Sequence, residues 1–235
     1  MDINLFNLKQ IFFEVSNKEI ASKMSAYMVN QFEFLGIQTP MRRKLSNEFI
    51  KSTVDYNASQ ILKMVNSLWD ISHREFQYVA IDLMIKNHAK LSLNDIYKIF
   101  DIAVQKSWWD SIDGLAAVIN KILKSNRSSG DECKQIVNHA ITSENLWIRR
   151  IALLHQLGWK DLTDINCLFS FALQNANDEN FFIRKAIGWS LRDYAKYDHA
   201  RVYEFIEINE NLFSPLTIRE ATKHQKKYVL RESSS

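Results

Sequence analysis

Trp147-Ile148-Arg149-Arg150 returns thirty-five residues later as Phe182-Ile183-Arg184-Lys185. Each copy reads aromatic, isoleucine, cation, cation. Trp69-Asp70 returns forty residues on as Trp109-Asp110, and Phe76 stands seventy-one residues before Trp147, close to two such steps. Inside these segments the apolar residues fall at i, i+3, i+4 and i+7. Phe76, Val79, Ala80, Leu83 and Met84 follow that spacing, as do Ile148, Ile151, Ala152 and His155, which is the signature of helices with one apolar face. A period of about 35–40 residues in a helical chain means stacked helix pairs, each burying its apolar face against its neighbours.

The sequence therefore predicts an all-α protein of about twelve helices, each of roughly 12–18 residues. They form a curved α-solenoid of about six HEAT-like helix-pair repeats, one domain spanning 1–235 with a concave face. A plain helical bundle is the alternative. Composition agrees with either. Five glycines and two prolines make up about 3% of the chain, where roughly 12% is ordinary. Sandwiches, barrels and Rossmann folds need more tight turns than that. Hydrophobic residues at 46% and charged residues at 24% suit a soluble chain with a real core rather than a disordered one.

Start signals punctuate the helices. Thr39-Pro40 and Ser214-Pro215 read as N-cap and first-turn proline. Ser72-x-x-Glu75, Ser92-x-x-Asp95 and Ser107-x-x-Asp110 read as capping boxes or acidic variants of one. Asn57 and Asp178 are further N-cap candidates. Asn126 to Asp131 is the most loop-like stretch, and Ser233 to Ser235 read as a frayed tail, with 231–235 disordered.

Much chemistry is missing from the sequence. It has no G-x-G-x-x-G, no Walker loop and no H-E-x-x-H. The six histidines form no i, i+4 pair, so no metal site and no cofactor are expected; His155, on an apolar face, reads as a packed residue. Cys133 and Cys167 are too few for a zinc ribbon and need not pair. The expected setting is a reducing cytoplasm, with no membrane partner: no apolar run approaches 18 residues, and MDINLFNLKQ lacks the features of a signal peptide.

Ser107-Trp108-Trp109-Asp110-Ser111-Ile112-Asp113-Gly114 is the most unusual segment. With Ser107 as N-cap, Asp110 falls at N3, where an acid stabilises a helix start. Trp108, Ile112 and Leu115 share one face, toward the core. Trp109 and Asp113 are i, i+4 and share another. Asp113 has no capping duty, and Asp-Gly costs roughly 1–1.5 kcal/mol of helix propensity relative to alanine. Such local costs without local compensation gather at functional sites; the alternative is that Asp-Gly ends the helix and Trp109 is core. Lys185, Trp189 and Arg192 share a side of a second helix, and Arg149 and Arg150 open a third. Cations interleaved with indoles suit a nucleic-acid backbone, although scattered cations also make ordinary solvated faces.

These segments resemble the AlkD-type alkylpurine DNA glycosylases. The likeness runs through AYMVNQFEFLGIQTPMRR (Ala26 to Arg43), LWDISHREFQ (Leu68 to Gln77), SWWDSID (Ser107 to Asp113), NLWIRRIALLHQL (Asn145 to Leu157), FFIRKAIGWSLRDYAK (Phe181 to Lys196) and SPLTIREATKH (Ser214 to His224). The resemblance implies HEAT-like repeats that cradle duplex DNA. It also implies hydrolysis of the glycosidic bond of cationic N3- or N7-alkylated purines: 3-methyladenine, 7-methylguanine and bulky adducts. The resemblance further implies that no base is extruded into a pocket.

By the same resemblance Asp113 is the catalytic carboxylate, Trp109 and Trp189 flank the lesion's sugar, and Tyr27 and Arg150 complete the DNA-binding site. Arg43, Arg149, Lys185 and Arg192 are further cations expected on DNA. Arg149 and His155 are the departures from the family pattern. The expected partner is duplex DNA carrying alkylated purines, and the expected state a monomer. The competing readings are a non-catalytic DNA-structure binder on the same fold and a protein-interaction scaffold.

Overall fold

A computed structural model describes residues 2–223. His224 and the expected tail at 231–235 lie outside the described residues. Among the described residues there are thirteen α-helices and no strand. The all-α reading holds, and none of these helices is long and apolar enough to cross a membrane. The helices gather into two compact units, divided after Gln105.

In the first unit, α1 (Ile3–Glu14), α2 (Lys18–Tyr27), α3 (Thr39–Lys51), α4 (Ala58–Asp70), α5 (Arg74–Lys86) and α6 (Asp95–Ala103) follow one another. Helix α3 packs on α1 and α5, and α4 packs on α5 and α6. The apolar faces read from sequence are inside: Phe76, Val79, Ala80, Leu83 and Met84 are all fully buried. Each of these side chains except Ala80 is worth about 1.5–3 kcal/mol of transfer free energy. Glu75, expected in a capping box, is instead fully buried. Its carboxylate accepts the backbone N–H groups of Leu35, Gly36 and Ile37 at 2.9–3.1 Å. His73 takes the N-cap position of α5 without a side-chain cap. Gly36 has φ +84°, and a Cβ there would lie 2.1 Å from the Asn17 carbonyl oxygen, so only glycine fits.

The second unit holds α7 (Trp109–Ser125), α8 (Gly130–Ile141), α9 (Leu146–Leu154), α10 (Ile165–Gln174), α11 (Phe181–Ala195), α12 (His199–Ile208) and α13 (Pro215–Ala221). Helix α9 packs on α7, α11 packs on α9, and α13 packs on α11, with α8 and α12 set against α9 and α11. Alternate helices thus form a row, as stacked helix pairs require. The sequence period becomes physical here. Side chains reach the next repeat at offsets close to that period: Glu75 to Leu35 at 40 residues, Trp69 to Gln105 at 36, Arg150 to Asp113 at 37.

Five helix starts differ from expectation by one or two residues, among them α5, with His73 in place of Ser72, and α6, with Asn94 in place of Ser92. Trp108, not Ser107, is the N-cap of α7, which puts Asp110 at the second helical position, still in the first turn. Gln38 rather than Thr39 caps α3. Asn180, not Asp178, caps α11, accepting from the Phe182 N–H. Asn57 and Ser214 cap α4 and α13 as read. The loop-like stretch is shorter than expected, because α8 already begins at Gly130.

Candidate active site

Asp113 is not at a helix end. Helix α7 runs on through Gly114 to Ser125, which removes the alternative that Asp-Gly stops it. Ile112, Leu115, Ile119 and Ile122 are buried and hold α7 against its neighbours, which turns Asp113 to a different side. Trp108 packs edge-on to Phe182, 5.4 Å between ring centres, and tilted to Trp147 at 6.0 Å. This aromatic cluster fixes the start of α7. Trp109 sits one turn before Asp113 and is partly exposed.

Arg150, on α9, meets Asp113 with its fork. Nε donates to Oδ1 at 2.8 Å and Nη2 to Oδ2 at 2.9 Å, a bidentate pair of the strong kind. Nη1 donates to the Phe182 carbonyl at 2.5 Å. The pair is asymmetric: the Arg150 side chain is 2% exposed and that of Asp113 27%. The carboxylate is the outer member and presents its negative end to a 420 Å³ cavity lined also by Asn120, Lys121, Lys124, Leu154 and Trp189. Burial raises the Asp113 carboxyl above its ordinary value, against the pull of Arg150. Each carboxylate oxygen keeps acceptor capacity beyond its one bond to arginine.

Trp189, on α11, receives two cations near its ring, Arg150 with Cζ 5.1 Å from the ring centre and Lys185 with Nζ 5.1 Å away. Its Nε1–H donates to Glu220 Oε2 at 3.0 Å. Arg192 donates to the same oxygen at 2.8 Å and to the Glu220 carbonyl at 3.1 Å. Helix α13 approaches this closely because residue 188 is glycine: a Cβ there would stand 2.6 Å from Glu220 Cβ and 2.8 Å from the Thr217 carbonyl oxygen.

Of the residues singled out in the sequence, Asp113, Arg150, Trp189, Lys185 and Arg192 come together through these contacts, with Trp109 one turn away on α7. Arg150, expected on DNA, is turned inward onto Asp113. Arg149 lies beside Asp178, with Nη2 to Oδ2 at 2.7 Å, and also donates to the Ser143 and Glu144 carbonyls. Tyr27 and Arg43 belong to the first unit. Tyr27 ends α2 and is 71% exposed; Arg43 lies 3.4 Å from Asp82 with its side chain 64% exposed. His155 is buried between Trp159 and Phe171, with Nδ1 2.6 Å from the Ala152 carbonyl oxygen. It is the packed residue expected. Glu220 was missed in the sequence; it lies in the SPLTIREATKH stretch with nothing in its spacing to mark it.

A model of the family described as DNA alkylation repair enzyme matches residues 8–225. The chain belongs to the DNA alkylation repair enzyme family. A solved structure described as a predicted DNA alkylation repair enzyme from Enterococcus faecalis is similar to this family member, with 36% identity and a TM-score of 0.83 over 88% of this chain and 95% of that one. A comparison with curated proteins finds no match. The family's helical repeat architecture and the stacked pairs of the second unit agree.

Proposed function

We propose that the protein is an alkylpurine DNA glycosylase, and that Asp113 carries the reaction. The observation behind this reading is the placement of Asp113. It is a carboxylate locked by an inward-facing arginine and open to a cavity whose wall includes Trp189. A purine alkylated at N3 or N7 is already cationic, so it departs neutral and needs no general acid. One carboxylate then suffices where ordinary glycoside hydrolysis uses two.

As the C1′–N bond stretches, positive charge grows on the deoxyribose. Asp113 stabilises that charge and holds or deprotonates the attacking water through its unused acceptor sites. The π faces of Trp109 and Trp189 attract the same cation. Arg150 holds the carboxylate in one orientation and keeps it ionised. DNA is gripped along its backbone, with Tyr27, Arg43 and Lys185 as contacts, and no base enters a pocket. The preferred substrates are duplexes carrying 3-methyladenine, 7-methylguanine or bulkier cationic adducts.

The test is abasic-site formation on methylated duplex DNA. Release of free 7-methylguanine with a matching abasic site supports the reading. DNA binding without release would make the protein a non-catalytic binder, and absence of both would make it a scaffold.

A further inference from the structure

Trp189 is held from its polar edge, and this hold has a consequence for the reaction. The indole Nε1–H donates to Glu220 Oε2 at 3.0 Å, and Arg192 donates to that same oxygen at 2.8 Å and to the Glu220 backbone carbonyl at 3.1 Å. The side chains of Arg192 and Glu220 are 20% and 13% exposed, so the pair is only weakly screened by water. Burial alone would raise the Glu220 carboxyl; the hydrogen bonds from Arg192 and Trp189 overcome it and hold the group below its ordinary value. Glu220 is therefore an anion at neutral pH. Gly188 lets the Glu220 Cβ come close to α11.

An indole whose N–H donates to a carboxylate gains electron density on its ring, because hydrogen bonds polarise the groups they join. A richer ring binds a cation over its face more strongly. Two cations stand 5.1 Å from the centre of this ring, Arg150 and Lys185.

Resting on the glycosylase reading above, we propose that Glu220 is a positioning residue for the reaction: through the Trp189 N–H it fixes the indole plane and enriches the face that meets the sugar cation. It touches neither DNA nor the reacting atoms.

The experiment is a double-mutant cycle on 7-methylguanine release under single-turnover conditions, with Glu220→Ala, Glu220→Gln, Trp189→Phe and the Glu220→Ala/Trp189→Phe pair. Alanine keeps the Cβ that packs on Gly188 and removes the carboxylate; glutamine keeps an acceptor oxygen and removes the charge. Misplacement of a group by about 1 Å can cost 10²-fold. Glu220→Ala is expected to slow release by about that factor at unchanged DNA affinity, with Glu220→Gln in between. In the Trp189→Phe background, where there is no N–H to hold, removing Glu220 changes the rate less than about twofold. An equal loss in both backgrounds, or release by Glu220→Ala within about twofold of wild type, overturns the proposal.

A second readout needs no catalysis. The Trp189 Nε1–H resonance, assigned by its loss in Trp189→Phe, is expected to move in Glu220→Gln; an unmoved resonance overturns the proposal. If wild type releases no base while the resonance does move, the glycosylase reading fails and the Trp189–Glu220 coupling stands.

Discussion

Arg150 and Asp113 form a two-point pair between helices that are adjacent in space and 37 residues apart in sequence, at 2.8 and 2.9 Å. The arginine is the buried member. Such a pair orients a carboxylate more than it stabilises a fold, since desolvation of the charges consumes much of the attraction. Breaking it is another matter, because an uncompensated charge is left behind.

That geometry sets the first prediction. Arg150→Lys replaces a planar fork with a point charge that cannot reproduce two parallel bonds. Release of 7-methylguanine should fall by about tenfold or more. The slope of log K against log salt should stay as in wild type, because a buried arginine bound to Asp113 neutralises no phosphate. A slope reduced by about one in a salt-titrated binding assay would show that Arg150 does contact DNA phosphate.

Gly188→Ala pits two effects against each other. Alanine gains about 0.8–1.0 kcal/mol of helix propensity. The new Cβ meets the Thr217 carbonyl oxygen at 2.8 Å and Glu220 Cβ at 2.6 Å, and overpacking of this kind costs typically about 1–3 kcal/mol. The backbone oxygen has no rotamer to yield, so the clash wins. Urea unfolding should show net destabilisation, and base release should fall with it as α13 moves from Trp189. A stabilised variant would mean that the helices are not held this close.

His155 sets an acid limit on stability. Burial lowers its pKa to about 4, against the bond to the Ala152 carbonyl, while in the unfolded chain it titrates near 6.5. Between those values the unfolded state binds the extra proton, so stability is full above pH 6.5 and drains away as pH falls toward 4. The expected loss between pH 7 and pH 5 is about 2 kcal/mol. His155→Leu should remove that part of the slope in denaturant titrations at the two pH values. An identical pH dependence in wild type and variant would show that His155 is not the group responsible.

How much of this was legible in the sequence follows from what repeats. The 35–40 residue period could be read because the helices on either side of each interface have equivalent faces, and the same period reappears as Trp69 reaching Gln105 and Arg150 reaching Asp113. Asp113 could be singled out because Asp-Gly breaks local helix rules, and Trp109 because it shares a face with Asp113 one turn away. The Asp113–Arg150 pair could have been inferred, since its offset lies inside the period, yet a cation near an acid offers phosphate and carboxylate equally. Asp178 looked like a cap by residue type, but it lies beside Arg149 and accepts the Asn180 N–H; only tertiary placement decides between those duties. Glu75 matched a capping spacing, and three backbone amides of another segment claimed it. Glu220 gave no signal, because its role depends on how closely α13 approaches Gly188.

The account rests on Asp113, and the decisive measurement is release of 7-methylguanine from methylated duplex DNA by wild type and Asp113→Asn, with DNA affinity measured in parallel. Asparagine keeps the shape and removes the charge, and loss of one placed electrostatic group costs about 10²–10³ in rate. Release should fall by at least that factor while binding persists. In wild type the acid limb of the rate against pH should lie above pH 3.8, because burial raises the Asp113 carboxyl. Release by Asp113→Asn at the wild-type rate would contradict the account.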